Sequence, residues 1–247
     1  YAHVYDQSGQ IAFSLQMIPY LDKLFRRHPP SGNTLLELAC GTGTVAVALA
    51  EAGWRVYAID NSADMLAQAR AKAEKSRATV VFSQQDMRHL VLPGHLDVVT
   101  CLYDSLNYML TSDDLLAVFR SVMRVLGPEG LFVFDMNTAW ALRHHWDDET
   151  YFTDSPDLSM ILRSSYDAQR QRVRVVATCF ERDGDRYRKF VEEHVEQAYP
   201  NEQIATLLTD AGFRLEASYE CFTFEAPRPS TSRIMWVARR RAAAIEE

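Results

Sequence analysis

The apolar positions of this chain change their spacing several times, and each change marks a new element. From Ile11 to Arg27 they recur at Ile11, Leu15, Ile18, Leu21 and Leu24, the spacing of a helix with one buried face. Then the period shortens. Leu35 to Ala39 is a short apolar run broken by Gly41-Thr-Gly-Thr44, and Val45 to Ala52 is helical again up to Gly53. A second strand is expected over Arg55 to Ile59, ending at Asp60, and Ser62 is placed to cap a helix that reaches Lys75. Thr79 to Phe82 and Leu96 to Leu102 read as strands three and four. Helical material follows to Val125, and Gly127-Pro-Glu-Gly130 turns the chain into a fifth strand, Leu131 to Phe134. Strands alternating with helices of this length predict βαβ units, hence a parallel sheet covered on both faces.

The alternation stops after Asn137. Arg172 to Arg182 and Asp185 to Gln197 flank Asp183-Gly184, a pair suited to a two-residue type I′ turn. That turn sets Glu181 opposite Arg186, Ala177 opposite Phe190 and Arg174 opposite Glu193, matching charge with charge and apolar with apolar. Ser159 to Tyr166 adds a third strand. A helix from Asn201 to Ala211, closed by Gly212, and two strands, Arg214 to Phe224 and Arg233 to Val237, return to the main sheet. The expected fold is α/β: a doubly wound, mostly parallel sheet with an antiparallel β subdomain inserted after strand five.

Composition narrows the class. At 247 residues and 47% hydrophobic content the chain suits one large domain, and no low-complexity stretch or repeat interrupts it. A net charge of −7 argues against clamping a long stretch of nucleic acid, which needs a basic stripe. Cys40, Cys101, Cys179 and Cys221 lie far apart in apolar contexts. Without CxxC pairs or Cys/His clusters, no metal site is expected, and reduced, buried thiols point to a cytoplasmic protein. No apolar run approaches the ~20 residues of a membrane span, and no secretory signal is read at the start, although the chain begins at Tyr1.

The candidate chemistry lies around the first strand. Gly41-x-Gly43-x-x-Ala46 follows a strand and opens a helix, bringing backbone N–H groups to a ligand without side chains in the way. That loop alone also fits a dinucleotide site. Asp60, at the end of strand two, suits ribose hydroxyls in either case. Glu37 separates the two readings, because a nicotinamide-dependent oxidoreductase has no need of an acid inside strand one.

Leu36-Glu-Leu-Ala-Cys-Gly-Thr-Gly-Thr-Val45 resembles the E/D-x-x-x-G-x-G motif of class I, S-adenosylmethionine-dependent methyltransferases, which have a Rossmann-like fold. The resemblance continues through Val56-Tyr-Ala-Ile-Asp60, Asn61-Ser-x-x-Met-Leu66, Gln85-Asp86-Met87, Leu96-Asp-Val-Val and Leu126-Gly-Pro-x-Gly130. It implies one methyltransferase domain over residues 1–247 with a cofactor-binding core at 30–138. Because the chain leaves the sheet at the carboxyl end of strand five, the antiparallel sheet at 150–198 is expected to cover the acceptor pocket. The insert and flanking helices resemble the small-molecule branch, amino-sugar N-methyltransferases among them.

The same resemblance implies roles for single residues. The backbone at Ala39, Gly41 and Gly43 would cradle the methionine part of S-adenosylmethionine, and Glu37 would orient its amino end. Asp60 would take the ribose hydroxyls, with Asn61 and Met65 around the adenosine. Asp86 and the backbone N–H of Met87 would meet the adenine, Leu102 and Tyr103 would lie beside the sulfonium, and Tyr5 would close over the cofactor.

On the acceptor side the residues leave alternatives open. Tyr103 and His194 are the catalytic candidates, whereas Asp104 or Ser105 could equally cap the next helix, and His144 and His145 suit a solvated loop. No general base stands out, which leans the reading towards a small-molecule N-acceptor. An RNA-modifying enzyme would want a basic face, but residues 151–200 hold eight Lys/Arg against nine Asp/Glu. A non-catalytic S-adenosylmethionine-binding protein fits the same motifs, and the exposed third strand of the insert could serve a homodimer.

Overall fold

The computed structural model describes residues 1–241. Strands β1 (Thr34–Leu38), β2 (Arg55–Asp60), β3 (Val80–Gln84), β4 (Leu96–Cys101) and β5 (Leu126–Asn137) run parallel to their neighbours. Two later strands, β10 (Phe213–Glu220) and β11 (Arg233–Arg240), extend the sheet antiparallel, so the order is β10-β11-β5-β4-β1-β2-β3. The direction of winding reverses between β1 and β4, the point where an open α/β sheet leaves a crevice at its carboxyl edge.

Both faces of the sheet are dry because successive residues of the central strands feed two cores. Leu36, Leu38, Val99, Cys101, Phe132 and Phe134 pack under α4 (Ser112–Val125) and α6 (Asn201–Asp210). Leu35, Val98, Leu131, Val133 and Val237 pack under α1 (Ile11–Arg27) and α2 (Thr44–Glu51). The helix α3 (Ala63–Ser76) starts at Ser62, whose side chain accepts the Met65 N–H, as its N-cap position predicts. No helix among the described residues is long and apolar enough to cross a membrane.

After β5 come a short helix α5 (Ala139–His144) and a four-stranded antiparallel sheet, β6 (Thr150–Asp154), β7 (Leu158–Asp167), β8 (Arg172–Asp183) and β9 (Arg186–Gln197), in that order. This sheet has one more strand than the sequence pattern predicts. All five residues of β6 are exposed, so no alternation marks it. The hairpin register also differs. Gly184 and Asp185 form the turn, with Gly184 at φ 64°, so Asp183 pairs with Arg186 and Glu181 faces Arg188. Glycine at the first turn position is the Gly-x pattern of a type II′ turn rather than the expected I′ pair. Because the slip is even, every side chain keeps its face. Arg174 now lies opposite Val195 yet still reaches Glu193 diagonally, at 2.6 and 2.7 Å.

Candidate functional site

The carboxyl ends of β1, β2 and β4 open on a cavity of about 820 Å³ whose far wall is the inner face of the four-stranded sheet. At one end the chain leaves β1 through Ala39 and Gly41, at φ 51° and 53°, before α2 begins. Gly41 donates its N–H to Asp60 Oδ2 (2.8 Å) while Ser62 donates to Asp60 Oδ1 (2.8 Å), so the carboxylate is fixed between two loops. Burial nonetheless raises the Asp60 pKa. Space is open where a Gly41 side chain would stand.

Gly43 carries a packing constraint of its own. It does not line the cavity; a Cβ there would stand 2.8 Å from the Ala69 Cβ, so this glycine serves the packing of α2 on α3. All the other expected positions are on the wall: Tyr5, Glu37, Ala39, Gly41, Asp60, Asn61, Met65, Asp86, Met87, Leu102, Tyr103 and His194. His144 and His145 are not.

Glu37 is only 4% exposed and its Oε2 has no hydrogen-bond partner. Burial pushes its carboxyl up to about 8. Asp86 is lowered instead, because Arg88 grips both its oxygens at 2.6 to 3.1 Å and also donates to Asp114 (2.6 Å). The N-terminal segment lies across this end. Asp6 accepts from Thr42 and Lys72, both at 2.7 Å, while Val4 is buried in the core of the four-stranded sheet.

At the other end, β4 runs out into two consecutive left-handed residues, Tyr103 (φ 58°) and Asp104 (φ 53°). Such a pair costs about 1–3 kcal/mol per residue and persists only where its surroundings hold it. Asp135, fully buried on β5, supplies the hold: its two oxygens accept the N–H groups of Tyr103 (2.7 Å) and Asp104 (3.1 Å). Arg233 on β11 joins Asp135 (2.5 Å) to the Asp104 carboxylate (3.0 Å). Asn137 then donates to both Asp104 (2.5 Å) and Glu196 (3.0 Å).

The result is a continuous chain Asp135–Arg233–Asp104–Asn137–Glu196, of which Asp104, Glu196 and Arg233 face the cavity. Burial pushes Asp104 up to about 6 and Glu196 to about 8, Arg233 and Asn137 offsetting only part of the effect. Phe13 stacks on Tyr103 at 4.2 Å with Arg233 beside both rings, and the Tyr103 hydroxyl donates to Gln10. Burial pushes the Tyr103 phenol up to about 12, so it stays protonated. His194 sets Nδ1 3.2 Å from the Tyr108 hydroxyl, and burial lowers its pKa.

Asp135, Asn137, Glu196 and Arg233 were not singled out by the sequence reading. One signal was available. Glu192-x-His194-x-Glu196 puts three polar groups on one face of a strand, and all three line the cavity.

Comparison with known proteins agrees with this fold. The family model described as a methyltransferase domain matches residues 35–130. The Bacillus subtilis protein named "Putative methyltransferase YqeM" is 34% identical over 85% of this chain and 85% of its own. The dTDP-4-amino-2,3,4,6-tetradeoxy-D-glucose N,N-dimethyltransferase of Saccharopolyspora spinosa is 28% identical over 78% of this chain and 76% of its own. Among solved structures, an S-adenosylmethionine-dependent methyltransferase from Clostridium acetobutylicum superposes with a TM-score of 0.88 at 26% identity, covering 98% of each chain.

Proposed function

The chain belongs to the S-adenosylmethionine-dependent methyltransferases, and from that premise we propose that it methylates an amine nitrogen of a small molecule. The observation that carries this reading is the composition of the far end of the cavity, where Asp104, Glu192 and Glu196 stand among the rings of Tyr1, Tyr103, Tyr108 and Trp146. Carboxylates with aromatic faces favour an ammonium over a neutral or anionic group. The N,N-dimethyltransferase relative supports the same class.

The near end fits the cofactor. The unpartnered Oε2 of Glu37 awaits a donor such as an ammonium, and the open space beside Gly41 admits a ligand against the backbone. In this reading Glu37 holds the amino end, Asp60 the ribose hydroxyls, and Asp86 with the Met87 N–H the adenine, while Tyr5 closes over the top. When bound, S-adenosylmethionine supplies a methyl group on a cationic sulfur, a carbon already activated for displacement. The protein's task is then alignment, which can contribute an effective molarity on the order of 10⁵ M or more. Tyr103, fixed by Asp135 and Phe13, forms the wall between the two ends. The four-stranded sheet covers the acceptor side and, with Tyr1 and Tyr5, excludes water.

Incubation with methyl-labelled S-adenosylmethionine tests the class. Nucleotide-linked amino sugars and simple amines should acquire an N-methyl signal by NMR, and their hydroxyl counterparts should not. Label found on oxygen alone, or only on RNA, would overturn the amine reading.

A further inference from the structure

Of the two network acids that line the cavity, Glu196 is the less exposed. It is 5% exposed; Asn137 donates to its Oε2 at 3.0 Å, and Oε1 makes no hydrogen bond among the described residues while the side chain lines the cavity. Around it stand Asp104 and Tyr103 beyond β4, Tyr108 of the following 3₁₀ turn, Asp135 and Asn137 of β5, Arg233 of β11, and Glu192 and His194 on its own strand.

The charges in this cluster do not balance. Asp104, Asp135 and Glu196 offer three buried carboxyl groups against the single guanidinium of Arg233, which is already spent on the first two. A buried carboxylate without a cation is costly, so the surplus is met by retained protons or by a positive ligand. Glu196 Oε1 and Asp104 Oδ1 both make no hydrogen bond among the described residues, and both side chains line the cavity. Asp104 is already paired with Arg233, whereas Glu196 makes no ion pair among the described residues. The other polar groups nearby are less suited: Tyr103 stays a phenol, and His194 is turned to Tyr108.

We propose that Glu196 is the catalytic residue that binds the acceptor's ammonium group through Oε1 and removes its proton. The inference rests on the amine reading above and names its proton acceptor. An ammonium has no lone pair and cannot attack. Transfer of one proton from nitrogen to Oε1 leaves the neutral amine with its lone pair and Glu196 as a carboxylic acid, so charge and atoms balance. Asn137 keeps Oε2 in place and thereby presents Oε1, a positioning role. Because burial pushes Glu196 up to about 8, its pKa lies near the operating range, where proton transfer in either direction is efficient.

Benzylamine and benzyl alcohol, titrated by ligand-observed NMR into the full chain saturated with S-adenosylhomocysteine, test the proposal. Binding an ammonium to Glu196 below its pKa expels the Glu196 proton. Benzylamine affinity should therefore rise about tenfold per pH unit up to about pH 8, with the alcohol weaker and flat. Glu196→Gln should weaken benzylamine about tenfold or more and flatten the profile, with S-adenosylhomocysteine affinity unchanged.

If the alcohol binds as well as the amine to the wild type, or neither binds, the amine reading itself falls. If the amine is preferred but Glu196→Gln keeps its affinity and slope, the reading stands and Glu196 is not the proton acceptor. Calorimetry of the wild type in two buffers of different ionisation enthalpy gives a check independent of the variant's folding. About one proton released per benzylamine near pH 7 supports the proposal, and none overturns it.

Discussion

Glu37 on β1 and Asp60 at the end of β2 show how one end of the cavity gives two carboxyl groups different work. Asp60 is fixed by two backbone N–H groups, whereas Glu37 keeps an oxygen with no partner. Removing either group should weaken the cofactor rather than the fold. A hydrogen bond to a charged group contributes about 1.5–3 kcal/mol, so Asp60→Ala and Glu37→Gln should each lower S-adenosylmethionine affinity by roughly 10- to 100-fold in calorimetry. Unchanged affinity would leave Asp60 as a loop fastener alone. Asp135 is the opposite case, a fully buried group whose work is structural. Asn in its place accepts with one oxygen only and breaks the pair with Arg233. Asp135→Asn should therefore cost about 3–5 kcal/mol in denaturant unfolding, the range for opening a buried ion pair. A loss below about 1 kcal/mol would mean that the left-handed turn at Tyr103 and Asp104 holds itself.

At the scale of elements, the N-terminal segment ties the loop after β1 to the four-stranded sheet. Asp6 binds Thr42 and Lys72 at one side and Val4 is buried at the other. The Asp6–Lys72 pair is partly exposed, so it contributes about 1 kcal/mol at most. Asp6→Ala should accordingly lower Tm by no more than about 4 °C while speeding S-adenosylmethionine release several-fold in stopped-flow measurements. Equal release rates would separate the segment from cofactor retention. What the sequence makes legible follows the same division. The parallel core could be read because each strand carries its own apolar run and each loop its own motif from Glu37 to Asp86. The strand β6 could not, since its five exposed residues lack any period. The hairpin was found but mis-registered, because Asp183-Gly184-Asp185 offers two turns that keep the same faces. Gly43 carries a further demand of this kind: a Cβ there would meet Ala69 on another helix, which the local motif does not reveal.

For the whole molecule, the largest gap between sequence and structure is the network Asp135–Arg233–Asp104–Asn137–Glu196, whose members lie up to 129 positions apart and meet only once two sheets are packed. Its burial has a measurable consequence for stability. Glu37 and Glu196 are both held near 8 in the folded protein against an ordinary 4.5, and Asp104 near 6 against 3.8. In the unfolded chain these carboxyls have lost their protons by about pH 6, whereas the native state still holds those on Glu37 and Glu196. The native state then binds more protons, so its stability falls as pH rises, by about 1.4 kcal/mol per pH unit for each fully retained proton. The contribution from these groups is present below the unfolded pKa values and lost as pH climbs through the folded ones. Unfolding free energies of the ligand-free protein should therefore decline between about pH 6 and pH 8. Glu37→Gln should flatten the decline by close to one proton, and Glu196→Gln likewise. Saturating S-adenosylhomocysteine should flatten the wild-type curve and leave that of Glu37→Gln little changed, because the ligand's ammonium takes over the Glu37 carboxylate. If the wild-type curve is level across this range, both glutamates are ionised in the folded protein. The cavity would then carry its full negative charge before any ligand arrives.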